Sequence, residues 1–198
     1  MNIRGFGLGL VVGTISTCLL GQWVFSAASK EPDPPKGIPP ELVADYIHNV
    51  VQADRTFYET EIVERMQTRG IVFASESWRL SGDLPLPAQF IIESGKLVAK
   101  QQHGIQIRLI SNWALNKMNR PTAEFERTGL TKILANPDRP YTGATTEGGR
   151  RVFQALYPDK AVSQRCADCH NVHKDSPKKD FKAGDVMGGV LLTIPLPQ

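Results

Sequence analysis

A chain of 198 residues with 41% hydrophobic and 22% charged residues has the makeup of a globular protein and room for one ordinary domain. Its formal charge of +3 comes from scattered basic residues with no Lys/Arg run of five or more, which argues against a nucleic-acid partner.

The amino-terminal segment, residues 1–29, holds the one long apolar stretch, Gly5 to Ala28, preceded by Arg4 and followed by Lys30-Glu31-Pro32-Asp33. Ser26-Ala27-Ala28 resembles a cleavage site for an exported protein, while about 24 apolar residues match a bilayer span better than the core of a cleaved signal. Both readings put the body of the protein on the extracytoplasmic side, because Arg4 keeps the amino terminus in the cytoplasm. Periplasmic localisation with an inner-membrane anchor is the expectation. Cys18 lies inside the apolar stretch and reads as a small hydrophobe.

Residues 30–40 form a spacer with five prolines between Glu31 and Pro40, which runs extended and stiff. The domain proper is expected over 41–198. Glu41 to Gln67 reads as a long helix, with Leu42, Tyr46, Val50, Ala53 and Phe57 as its core stripe and Val43, Ile47, Val51 and Tyr58 beside it. His48 falls at the flank of that stripe, in the angular sector of Ala44, Val51 and Arg55.

A short strand is expected over 71–74, and a helix over 88–99 after Leu84-Pro85-Leu86-Pro87. Residues 105–111 and 151–157 read as strands, and 122–134 as a helix with Thr122 as N-cap and Asn136-Pro137 as its stop. Val190, Leu192 and Ile194 alternate in a closing strand over 186–195, where Gly188-Gly189 marks either a bend or the close approach of a ligand.

Cys166-Ala-Asp-Cys169-His170 is the attachment signature of c-type haem. Its two thiols add to the porphyrin vinyl groups, and its histidine reaches the iron as proximal ligand. The competing zinc reading draws on Cys166, Cys169, His170 and His173, but these lie within eight residues, and adjacent Cys169 and His170 cannot readily turn to one tetrahedral ion. A redox dithiol gives His170 no role. The pair belongs in the compartment to which the amino terminus points, and with both thiols committed no structural disulfide is expected.

The residues resemble a family of exported haem c domains with a PAS-like fold, found alone or as the sensor part of signalling proteins. The resemblance is carried by Ala53-Asp54-Arg55-Thr56-Phe57-Tyr58, Leu84-Pro85-Leu86-Pro87-Ala88-Gln89, Leu109-Ile110-Ser111, Asn119-Arg120-Pro121 with Phe125-Glu126, Tyr157-Pro158-Asp159-Lys160-Ala161-Val162 and residues 180–189, together with the haem signature. It implies an α+β fold: a PAS-like antiparallel sheet flanked by helices, with one covalent haem c between the sheet and a long amino-terminal helix. It also implies a distal iron ligand from that helix. A cysteine fills that role in at least one relative; here the helix has none, and His48 is the expected substitute. Met187, His103 and an open site are the alternatives; His173 is a further nitrogen but lies only three residues from His170, too near to reach the opposite face of the ring. Arg55, Arg108 and Arg151 are candidates to pair with the haem propionates.

Two functions follow. The first is a mono-haem cytochrome with bis-histidine iron, His170 and His48, serving one-electron transfer to an unidentified redox partner. The second is a haem-based redox or NO/CO sensor in which His48 leaves the iron and a partner protein reads the change. Enzymatic turnover is not expected, because a filled sixth position blocks substrate. Output through an attached kinase or cyclase region is not expected either, none following residue 198.

Overall fold

The computed structural model describes residues 37–101 and 103–197. The expected signal or anchor, Cys18 and most of the proline spacer lie outside the described residues.

Pro39 and Pro40 open the first helix, because a proline at the first helical position gives up no hydrogen bond. Helix α1 (Pro40–Phe57) continues without a break through a π-helical segment, Tyr58–Glu64, and a final turn, Arg65–Thr68. Its buried side is Ala44, Ile47, Val51, Arg55 and Tyr58, whereas Leu42, Tyr46, Val50 and Phe57 are exposed. The expected core stripe is therefore the solvent face. Both sides of the helix are apolar, so periodicity alone does not rank them, and the side with the small Ala44 approaches the sheet.

Strand β1 (Ala74–Ser75) pairs in parallel with β2 (Leu84–Pro85), shorter than expected and enclosing the turn α2 (Trp78–Ser81). Helix α3 (Pro87–Ala99) starts where Gln89 Oε1 accepts the Leu86 backbone N–H at 3.0 Å. Its Gly95 lets the helix lie against β3 (Gln106–Ile110): a Cβ there would strike the Ile107 carbonyl oxygen. Helix α4 (Glu124–Ala135) is capped by Glu126 rather than Thr122. The Glu126 carboxylate accepts the backbone N–H groups of Thr122 at 2.7 Å and Ala123 at 3.4 Å, and Arg108 at 2.5 Å.

Strand β4 (Tyr141–Glu147) forms a hairpin with β5 (Arg150–Lys160) across Gly148-Gly149, both at positive φ. After helix α5 (Gln164–Val172), β6 (Val186–Pro195) closes the sheet in the order β3-β6-β5-β4, antiparallel throughout. The fold is α+β, an antiparallel sheet flanked by helices. On one face α1 and α3 cover Phe153, Ala155, Tyr157, Val190 and Leu192. On the other α4 covers Ile110, Leu156 and Leu191. The two central strands are covered on both sides and read as near-continuous apolar runs.

Candidate functional site

The haem signature is helical. Cys166, Cys169 and His170 stand at i, i+3 and i+4 of α5, a spacing that puts all three on one helix face. Asn171 ties that helix to the loop before β6: its Nδ2 donates to the Phe181 carbonyl at 2.8 Å and its Oδ1 accepts the Phe181 N–H at 2.9 Å. Phe181 then stands edge-on to His170 at 5.9 Å, and with Ala161, Ala167, Met187 and Trp113 it forms a small apolar cluster on which Cys166 packs.

In front of α5 lies a cavity of about 530 Å³. Its walls come from the second half of α1 with the π segment, the start of α3, the ends of β3 and β5, the start of β6, and α5 itself. Cys166, Cys169, His170, His173, Arg55 and Met187 all line it. The size falls within the range of roughly 300–1,000 Å³ typical of cofactor sites.

Burial sets the chemistry of these groups. It pushes both cysteine thiols up, reinforced at Cys166 by a hydrogen bond to Glu59. It pushes His170 below its ordinary value, which favours the neutral imidazole that ligates iron. His170 Nδ1 is buried with no hydrogen-bond partner. Two thiols and a neutral imidazole on one edge of a largely apolar cavity fit a porphyrin held by two thioethers and one axial nitrogen. Among the described residues no group of three or more His, Cys, Asp or Glu is gathered as a metal cluster. Of the four zinc candidates, His173 turns away to Glu76 Oε1 at 3.2 Å and accepts the Asp175 N–H on Nδ1.

Arg55 reaches the cavity wall, yet its guanidinium is committed to Asp159 of β5 in a buried ion pair. Burial would lower its pKa, and Asp159 beside it more than compensates and raises it. Arg108 is bound to Glu126 on the other face of the sheet, and Arg151 is exposed.

His48 stands apart from the group. It lies on the sheet side of α1, two helical turns before Arg55, and is not among the residues lining the cavity. Its ring stacks on Tyr157 at 3.9 Å and 7°, and the Tyr157 hydroxyl donates to Asp45 at 2.6 Å. Burial lowers the His48 pKa, and its Nε2 is buried without a partner. His103 is exposed.

Three polar wall residues carried no signal in the sequence: Glu59, Ser163 and Asp159 in its role as partner of Arg55. Glu59 is 4% exposed and accepts the Cys166 thiol at 2.9 Å and the Ser163 hydroxyl at 3.4 Å on Oε1. Gly188 lines the cavity, and both glycines also let neighbouring protein approach closely. A Cβ on Gly188 would lie 2.5 Å from the Ile110 carbonyl oxygen, and one on Gly189 2.6 Å from Leu156 Cδ1.

The model of the Tll0287-like family, described as Tll0287, matches residues 41–195. No curated protein matches the chain. Among solved structures the chain is similar to the cyanobacterial haem protein Tll0287, with 18% sequence identity and a TM-score of 0.48, covering 81% of this chain and 99% of that one.

Proposed function

The chain belongs to the Tll0287-like family, and on that premise we propose that it is an exported PAS-like protein that carries one covalent haem c and transfers single electrons. The observation that carries the reading is the convergence of Cys166, Cys169 and His170 on one wall of a largely apolar cavity. The family's namesake, Tll0287, is itself a haem protein.

Cys166 and Cys169 would hold the group through thioethers, and His170 would bind its iron. Bound haem supplies a one-electron ferric–ferrous couple. The apolar wall would keep water from the iron, and Phe181 stands edge-on to the His170 ring, where it restrains its orientation. His48 would be the second protein ligand to that iron, through its Nε2, which is buried without a partner on the sheet side of α1. A membrane span over residues 5–28 would hold the domain at the outer surface of the inner membrane, where a redox partner would meet it.

A second reading is favoured by one observation. His48 is stacked on Tyr157 outside the cavity wall, so binding iron costs it that stack, and a bond made at such cost is labile. A labile distal ligand suits a redox or NO/CO sensor.

One preparation separates these readings. Protein matured in a host competent for c-type haem should carry one haem that survives denaturation in mass spectrometry, and Cys166→Ala/Cys169→Ala should carry none. Its visible spectrum should be low-spin in both oxidation states, with slow or no CO uptake. His48→Ala should turn the spectrum high-spin or mixed. Rapid stoichiometric CO binding by the reduced wild type would select the sensor, and an unchanged low-spin spectrum in His48→Ala would remove His48 and promote Met187.

A further inference from the structure

We propose that Glu59 takes up one proton for each electron delivered to the site, so that electron transfer by this protein is coupled to proton transfer. The inference rests on the haem reading above.

Glu59 stands in the π segment of the α1 run, where an extra residue in the turn brings both Tyr58 and Glu59 to the buried side. It is 4% exposed, lines the cavity, and its Oε2 is buried without any hydrogen-bond partner. Oε1 has two donors, the Cys166 thiol at 2.9 Å and the Ser163 hydroxyl at 3.4 Å. Thioether formation consumes the first. The hydrogen on Cys166 Sγ goes to the vinyl carbon as the C–S bond forms, so in the haem-loaded protein Glu59 keeps only the longer contact to Ser163.

The charges around Glu59 do not make up the loss. Arg55, one turn earlier on α1, is the nearest cation in the chain's order, but its guanidinium is bound to Asp159 of β5. Two buried carboxylates therefore share one guanidinium. Glu64 on the same helix run, Glu76 after β1, Lys160 of β5, Arg165, Cys169 and His170 of α5, and His173 and Asp175 just beyond it also line the cavity, and none is hydrogen-bonded to Glu59. With the iron ferric, the cavity can hold the Glu59 carboxylate against the extra positive charge. An added electron removes that charge, and a buried carboxylate facing uncompensated negative charge takes a proton. The balance is simple: one electron enters from an external one-electron donor as ferric iron becomes ferrous, and one proton enters from water at Glu59 Oε2, turning carboxylate to acid. The net charge of the cavity is unchanged.

The test uses the full-length haem-loaded protein. Spectroelectrochemical titration over a series of pH values should show the wild-type potential falling as pH rises, with a slope approaching one proton per electron. Glu59→Gln, which mimics the protonated acid, should lose that slope and hold the low-pH potential at high pH; Glu59→Asp should retain it. Two readouts on the wild type need no variant to fold: proton uptake on reduction in weakly buffered solution, and a carboxylic-acid C=O band appearing in the reduced-minus-oxidised infrared spectrum. A wild-type potential independent of pH overturns the proposal. So does an undiminished slope in Glu59→Gln, which assigns the proton to the haem propionates. Failure of the haem reading is seen separately, as the absence of covalent haem in the mass spectrum of the starting protein.

Discussion

Arg55 and Asp159 meet from α1 and β5, 104 positions apart, at 6% and 8% exposure. A buried ion pair adds little to stability against an apolar replacement, but removing one partner strands the other charge. Asp159→Asn should therefore cost about 3–5 kcal/mol, read as a lowered urea midpoint at unchanged m-value. Replacing both residues by apolar ones of similar volume, Arg55→Met with Asp159→Leu, should restore much of the loss. A single variant as stable as wild type would show that water reaches Arg55. At this scale the sequence was legible where chemistry is local. Cys166, Cys169 and His170 sit within five positions of one another, and their spacing alone carries their meaning. Glu59 reaches Cys166 across 107 positions, and no property of a glutamate on a helix flank announces such a contact. Arg55 was legible as a residue of the site but not as one already paired, because its partner is set by how α1 lies on the sheet.

Among the elements, helix α3 packs backbone-close on strand β3. Gly95 faces the Ile107 backbone oxygen, which cannot rotate away as a side chain can. Gly95→Ala should destabilise by at least ~1–3 kcal/mol, the range for overpacking a core. Gly189→Ala meets Leu156 Cδ1 and Ile133 Cδ1, side-chain ends that can shift, and should cost less. Urea denaturation of the two variants side by side checks the order, and equal costs would mean that α3 slides freely on β3. The same element scale shows where pattern reading stops. Strand β6 was legible almost to the residue, since its apolar alternation is strong and both flanks are clear. Strand β4, Tyr-Thr-Gly-Ala-Thr-Thr-Glu, was not: as an edge strand it buries little, and threonines and glycine look like loop. In α1 the helix was legible and its inward side was not, because an arginine marks the buried face and a tyrosine, a valine and a phenylalanine the outer one.

For the whole molecule, an apolar stretch of about 24 residues ahead of the proline spacer predicts retention in the membrane. Full-length protein from a c-haem-competent host should sediment with membranes and resist extraction by high salt and carbonate while yielding to detergent. Soluble periplasmic protein beginning near Ala28 or Ser29 would establish cleavage instead.

Strand β6 lies between β3 and β5, so the middle of the sheet is made from residues 186–195. A chain emerges from the ribosome, or from a translocation pore, in order. When Cys166 and Cys169 appear, β4 and β5 can already pair as a hairpin, yet β3 has no neighbour and α3 and α4 have no complete surface to settle on. The 26 residues from His170 to Pro195 must still follow, a lag of roughly 1–5 s at synthesis rates of about 5–20 residues per second. The placement of one strand thus sets a schedule. The thiols are presented on an open, unfinished sheet, and the wall that later encloses them arrives last.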